Sequence, residues 1–431
     1  MLKRTLLGAT ILAGALATAG QAQDKPDEIT IGVATFLTGP ASVFGVPARD
    51  AAEMLAEELN AAGGIEGVPV SVNFIDEGAG GEAFTAEYRR QVEEEGADIM
   101  FSGISSGNCM QIAPLAEDLE VINIMWDCGT QRVFEEGEYD YVFRTQSHAT
   151  SDMLALVLYL LKTNPDFQTI AVVNQDYAWG RDSWEIFSTA LKAMKPDVEV
   201  VGEFFPAFGA PDFSTEISRL SAMRPDVILS TSWGGDLNTF VQQAAQRGLM
   251  NQSQFVLGLG ESSLEALGSA LPDGVIIGGR GDHYFDHPEM VGTEAFDGFV
   301  ADFKERTGAY PIYSVFHMVQ AFEALEAAYS KAIEANGGNW PDEQQLIAAY
   351  EGLEFQGLGR PVTIRAEDHQ GVEAQLVGTT VQSGDYSFAT LTDIMIFDGE
   401  QIMTPVGENS IDWVSSLTPD FVDEVQPTTF D

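Results

Sequence analysis

The sequence predicts an α/β fold of two lobes, each a doubly wound parallel sheet covered by helices. Strand-like and helix-like segments alternate along most of the chain, the rhythm of parallel strands joined by crossover helices. That rhythm runs to about Arg144 and then restarts, with no Pro/Ser-rich linker between the two runs. A length of 431 residues leaves room for two to three domains.

The N-terminus stands apart from this pattern. Lys3 and Arg4 precede the apolar run TLLGATILAGALATAG, and small residues lead to a cleavage point at about Ala22. This is the pattern of a secretory signal peptide over residues 1–22. The run is short and broken by Gly and Thr, which disfavours a membrane anchor. The mature protein is therefore expected to be exported and soluble. EITIGVATF then reads as a buried strand. In the next segment Ala51, Met54, Leu55 and Leu59 share one helical face, and Gly63-Gly64 ends the helix. Val70, Val72 and Phe74 alternate as in a strand. A charged helix at about 84–95, the strand DIMFS, a helix through SSGNCMQIAP and the strand VINIM complete the first run.

The second run repeats the pattern. SDMLALVLYLLK is helical, TIAVVNQD a strand, GRDSWEIFSTALKAM a helix and VEVVGEFF a strand. A helix in DFSTEISRLSAM, the strand PDVILST, the helix DLNTFVQQAAQRGL and the strands QFVLGL and GVIIGG follow. After residue 290 long helices are expected at about 293–306 and 313–336, then a β-like tail containing AQLVGTTV and LTDIMIFDG.

Charge and cysteine usage narrow the function. There are 66 acidic against 21 basic residues, a formal net charge of −45. Such a field repels nucleic acid and anionic membranes, and it keeps the protein soluble where salt screens the self-repulsion. The only two cysteines are Cys109 and Cys128. In an exported protein an even count points to a disulfide.

In open α/β sheets ligands bind beyond the carboxyl ends of the strands. The loops to inspect follow Phe36, Phe101, Met125, Asn174, Thr231 and Leu259. The first carries Phe44. The second carries Ser105 and Ser106 between a strand and a helix, where serine acts as an N-cap or where a helix N-terminus receives a carboxylate. Near them lie Trp126, Asp127, Cys128, Gly129 and Thr130. The second run supplies Tyr177, Trp179, Trp233 and Glu261. Aromatics at equivalent strand ends suggest the wall of a cleft.

An enzyme reading finds little support. His148, His283, His287, His317 and His369 lie outside any nucleophile elbow, and no G-x-S-x-G occurs. His283 and His287 are spaced for a metal but lack a third ligand in the sequence. No phosphate-binding loop is present. No catalytic residue, metal or cofactor is expected.

The ordered motifs IGVATFLTGPASVFG, EELNAAGGIEG, SSGNCMQIAPLAE, FRTQSH, YAWG, DFSTEISRLSAMRPDVILSTSWGGD and IRAEDHQ resemble the leucine/isoleucine/valine-binding protein family. These are type I periplasmic solute-binding proteins of branched-chain amino acid ABC transporters. The resemblance implies two lobes joined by a three-strand hinge and closing over a ligand. The lobes are expected at 24–145 plus 276–350 and at 146–275 plus 351–431. It implies that Ser106, with Ser105 and groups of Cys128, Gly129 and Thr130, receives the ligand carboxylate. Phe44, Trp179 and Trp233 would wall the pocket, and Glu261 would pair with a ligand ammonium. Asp127 departs from the pattern, because an acid beside a carboxylate site repels the ligand unless it is paired. A monomer delivering a small amino acid or related carboxylate to an inner-membrane ABC permease is the expected function. An aromatic acid, amide or urea-like ligand, or a ligand-sensing module of the same fold, is the alternative. A hydrolase using Ser105 or Ser106 would need a histidine within hydrogen-bond reach.

Overall fold

The structure, a computed structural model, describes residues 25–431, so the expected signal peptide lies outside the described residues. The first lobe is built on β1 (Ile29–Thr35), β2 (Val70–Asp76), β3 (Ile99–Ser102), β4 (Asn123–Met125) and β5 (Val142–Arg144). They form an all-parallel sheet in the order β2-β1-β3-β4-β5. The second lobe starts with β6 (Thr169–Val173), β7 (Glu199–Phe204), β8 (Val227–Ser230), β9 (Gln254–Leu257) and β10 (Ile276–Gly278). Their order, β7-β6-β8-β9-β10, repeats that of the first lobe. Strands with helices on both faces read as apolar runs, and β3 and β8 are buried along their whole length.

The rest of the chain departs from pure alternation. A small antiparallel sheet joins β11 (Glu354–Phe355), β12 (Val362–Ile364) and β13 (Gly371–Val372). Then β14 (Gln375–Val381), β15 (Thr390–Phe397) and β16 (Thr428–Phe430) extend the second sheet beyond β10, all antiparallel. The helices Glu294–Thr307 and Tyr313–Ala335 return to the first lobe. There Phe296, Phe299, Phe303 and Phe322 bury against Ala48, Ala52 and Phe101. The helix Ala149–Thr163 is buried on every side from Ala149 to Leu161, because it packs against the second sheet and the helix Ala178–Met194.

Three crossings join the lobes, at 145–148, 279–293 and 373–374, each outside the regular strands. The expected lobe boundaries shift accordingly. β10, expected to open the return to the first lobe at 276, pairs with β9 and β14 in the second sheet. Leu353, Phe355, Val362 and Ile364, expected in the second lobe, are buried in the first core. A strand–helix rhythm marks where elements begin but not which sheet they join.

Cys109, on the helix Ser106–Asp118, is disulfide-bonded to Cys128 in the loop after β4, with Cα atoms 6.3 Å apart and a sequence separation of 19. Closing a loop of this size restricts the unfolded chain and contributes about 3 kcal/mol. Reduction is expected to lower the urea midpoint by that equivalent, and a midpoint unchanged by reductant contradicts it.

Candidate ligand site

The strand ends of both lobes face one another across a cavity of about 310 Å³. The first lobe contributes Phe36 and the 40–44 turn after β1, Ile104 to Ser106 after β3, and Asp127 and Gly129 after β4. The second contributes Tyr177 and Trp179 after β6, Phe208 after β7, Trp233 after β8 and Leu259 after β9. Arg280 and Tyr313 enter from the middle crossing and the helix behind it. In the first sheet the site lies where strand order reverses between β1 and β3, the switch point at which such sheets bind ligands.

The wall is aromatic. Phe44 lies 5.2 Å from Trp233 and 5.3 Å from Tyr313, centroid to centroid. Phe208 lies 5.3 Å from Trp233 and 5.5 Å from Tyr177. The indole N–H of Trp179 donates to the Thr231 carbonyl at 3.0 Å, and that of Trp233 to Tyr177 Oη at 2.6 Å. With these donors satisfied, the rings present carbon surfaces to the cavity. The Phe44–Trp233 contact spans the two lobes, so the cleft is closed. A Cβ on Gly129 would sit 2.6 Å from Trp179 Cζ3, so only glycine lets that indole approach.

The polar end centres on Arg280, which is 3% exposed. Its Nη1 donates to the Asp127 carbonyl at 2.7 Å and to Asp127 Oδ1 at 2.8 Å. Its Nε donates to Asp152 Oδ2 at 3.1 Å and its Nη2 to the Ser147 carbonyl at 3.2 Å. One guanidinium thus joins the first lobe, the second lobe and the first crossing. Burial pushes the Asp127 carboxyl up to about 7 and that of Asp152 to about 6, against the pull of Arg280. Asp127 Oδ1 also lies 2.8 Å from His317 Nδ1. Burial drives the His317 pKa far below its ordinary value, so this neutral ring donates its N–H.

The helix N-terminus is partly used from within. Glu77 accepts from the Ile104 and Ser105 amides at 2.7 and 3.2 Å and from Asn108 Nδ2 at 3.1 Å. Ser105 Oγ accepts from the Asn108 amide as an N-cap. Of the two serines, Ser106 keeps its hydroxyl for the cavity.

Phe44, Ser105, Ser106, Gly129, Trp179 and Trp233 are brought together on the cavity wall. Cys128, Thr130 and Glu261 are placed elsewhere. The Cys128 sulfur is in the disulfide, and its carbonyl accepts from Gln146 Nε2 at 3.1 Å. Thr130 Oγ1 accepts from the Arg132 amide, and its carbonyl from Arg144 Nη2. Glu261 accepts from the Tyr313 amide at 3.1 Å, capping the helix Tyr313–Ala335, and burial pushes its carboxyl up to about 8. Trp126 buries in the first core, donating to the Ala34 carbonyl. Arg280, Tyr313 and Phe208 are the wall residues that loop position missed. The signal for Arg280 was Asp127 itself, an acid in a ligand loop that requires a cation.

His283 finds acidic neighbours that the sequence did not offer. Donor atoms of Asp282, His283 and Glu373 lie within 4.8 Å of one another. Glu373 and His283 are spent on each other and on neighbours: Glu373 Oε1 meets His283 Nε2 at 3.0 Å and Gln320 Nε2 at 2.7 Å, and its Oε2 accepts from the Ser147 amide at 3.1 Å. The trio is an ion-pair node where the three crossings meet. A larger hollow, about 950 Å³, lies among residues 134–140, 365–370 and 404–409. It is rimmed by carboxylates and lies away from the strand ends and the aromatic wall.

Residues 28–385 match the family described as periplasmic binding protein. The chain belongs to that family. Among periplasmic binding proteins, Leu/Ile/Val-binding protein homolog 4 of Brucella abortus (strain 2308) is 24% identical, with 94% of this chain and 98% of that protein covered. A solute-binding protein of an ABC transporter from Rhodopseudomonas palustris BisB5, solved in complex with 3,4-dihydroxy benzoic acid, superposes with a TM-score of 0.75. It is 19% identical, with 89% of this chain and 100% of that chain covered. An amino acid ABC transporter substrate-binding protein from Pseudomonas fluorescens Pf-5 superposes with a TM-score of 0.73 at 17% identity, covering 90% of this chain and 99% of that one. The two solved proteins share the fold described above.

Proposed function

We propose that the protein is an exported, monomeric solute-binding protein that closes on a small aromatic carboxylate and delivers it to an inner-membrane ABC permease. The observation that carries this reading is the composition of the closed cavity. One guanidinium, paired with Asp127, and the Ser106 hydroxyl stand at its polar end, and seven of the sixteen wall residues are aromatic. An α-amino acid would also bring an ammonium group, which needs a carboxylate. Glu261, expected to supply it, caps a helix instead, and Asp127 is already held by Arg280 and His317. A flat acid leaves no such group unpaired. The solved relative holding 3,4-dihydroxy benzoic acid supports the same choice.

The amino-acid reading rests on the resemblance and on the Leu/Ile/Val-binding relatives. A thermal-shift screen over benzoates, phenylacetates, aliphatic amino acids and amides separates the two. A ligand at 100 times its Kd stabilises the folded state by about 2.7 kcal/mol. Aromatic acids are expected to raise Tm, and a rise with leucine or valine alone refutes the aromatic reading. No chemistry is assigned to the site. Ser105 Oγ serves as a helix cap, and among the described residues no histidine bonds to either serine hydroxyl.

A further inference from the structure

Among the described residues, Arg280 is the one cation lining the cavity, and it is already matched by two carboxylates. Four of the five N–H groups of Arg280 are spent on Asp127, Asp152 and Ser147, leaving one on Nη2. A ligand carboxylate arriving here would make three buried anions around one guanidinium, and like charges in a desolvated site oppose joint ionisation. Asp127 is the member that can yield. It lines the cavity, and both of its side-chain bonds, from Arg280 Nη1 and His317 Nδ1, fall on Oδ1. Among the described residues no group bonds its Oδ2.

We infer that Asp127 makes ligand capture proton-linked: Oδ2 takes one proton from solvent and donates it in a hydrogen bond to the ligand carboxylate. This rests on the carboxylate reading above. The step balances as one ligand anion and one proton entering together, with no bond broken in the ligand. Neutralising Asp127 leaves Arg280 facing two anions, Asp152 and the ligand, as it faces two without ligand. Oδ1 keeps its bonds to Arg280 and His317, and the acid O–H replaces a repulsion with a charge-assisted hydrogen bond.

The groups facing Asp127 support the direction. Burial pushes its carboxyl up to about 7, Arg280 on the middle crossing opposes this, and Glu373 on the third crossing adds to it. His317, on the helix Tyr313–Ala335, is held neutral by burial and brings no charge. Asp152 faces Arg280 from the helix Ala149–Thr163, Tyr177 and Tyr313 stand on the wall, and Glu77 is the nearby acid on the first lobe. A ligand anion raises the Asp127 value further. Binding therefore takes up a proton above about pH 7, and affinity falls as pH rises through that region.

The test is calorimetric titration of the mature chain with benzoate and with phenylacetate between about pH 6 and 8.5, in phosphate and in Tris. The heats are expected to differ between buffers by an amount equal to nearly one proton taken up above about pH 7.5. Kd is expected to rise by up to roughly tenfold per pH unit there. Asp127→Asn, which presents an amide N–H in place of the acid O–H, is expected to bind with a flat pH profile and no proton uptake. A wild-type Kd constant within twofold across the range overturns the inference while leaving the carboxylate reading standing. So does proton uptake that persists in Asp127→Asn, which would assign it to Glu77 or Asp152. Failure of benzoate, phenylacetate and L-phenylalanine to bind at any pH overturns both.

Discussion

Arg280→Met is expected to abolish ligand binding and to destabilise the protein by about 3–5 kcal/mol, the range for removing one partner of a buried ion pair. The cost does not come from the lost side chain alone. Asp127 and Asp152, both buried, would remain without the guanidinium that holds them, and leaving a buried charge unpaired is the expensive outcome. The pH dependence identifies the cause. Folded carboxyls raised above their unfolded values contribute stability that is present below the unfolded value and lost as pH rises through the folded one. In the wild type that loss runs from the ordinary carboxyl value of 3.8 up to about 6 for Asp152 and about 7 for Asp127, and stops there because Arg280 pairs with the ionised forms. In the variant nothing offsets it. The difference in unfolding free energy between wild type and Arg280→Met should be small at about pH 5 and large at about pH 8. Urea melts at the two pH values measure this. Adding Asp127→Asn and Asp152→Asn should restore much of the stability and none of the binding. A penalty that does not change with pH would contradict the account.

Arg280 also shows where sequence reasoning stops. The strands were legible because a parallel sheet covered on both faces leaves short apolar runs, as in β3 and β8. The cavity loops were legible because such sheets bind ligands at their carboxyl ends, and Phe44, Ser106, Trp179 and Trp233 all lie on the wall. The disulfide was legible because only two cysteines were available. Arg280 was not, because it meets Asp127 across 153 residues of chain and no local pattern encodes such a pairing. Glu261 has a partner that the sequence did not indicate, for a related reason. A carboxylate in a strand-end loop serves an ammonium ligand and a helix N-terminus equally well, and the start of the helix at Tyr313 takes it here. The lobe boundaries shifted because the antiparallel addition of β14 to β10 is a tertiary choice between two available sheet edges.

The crossings suggest a second large effect with the opposite pH dependence. Glu373→Gln is expected to cost about 3 kcal/mol, most at about pH 5 to 6. Glu373, on the third crossing, bonds the Ser147 amide of the first and His283 of the second, so one carboxylate ties all three passages between the lobes. Glu373 also packs closely on the middle crossing, where a Cβ on Gly281 would meet its carboxylate and that glycine has φ +79°. Burial alone would lower the His283 pKa, but the Glu373 hydrogen bond and the Asp282 and Glu373 charges raise it above its ordinary value. The Glu373 carboxyl is held below its ordinary value, its burial outweighed by the bond and charge of His283. A histidine raised on folding contributes stability that is fully present below about 6.5 and lost as pH rises through its folded pKa. A carboxylate depressed on folding contributes above about 4.5 and loses its contribution as pH falls. The pair is therefore worth most between those values. Removing the charge of Glu373 should hurt most there and progressively less in alkali, whereas the Arg280→Met penalty grows with pH. Lobes that close as rigid bodies turn about these crossings, and ligand affinity scales with the population of the closed form. Loosening the tie should then also weaken binding at about pH 6 more than at about pH 8.5, against the trend set by Asp127. Paired urea melts and titrations at those two pH values test both halves, and an equal loss of stability at the two would remove the ion pair from the hinge.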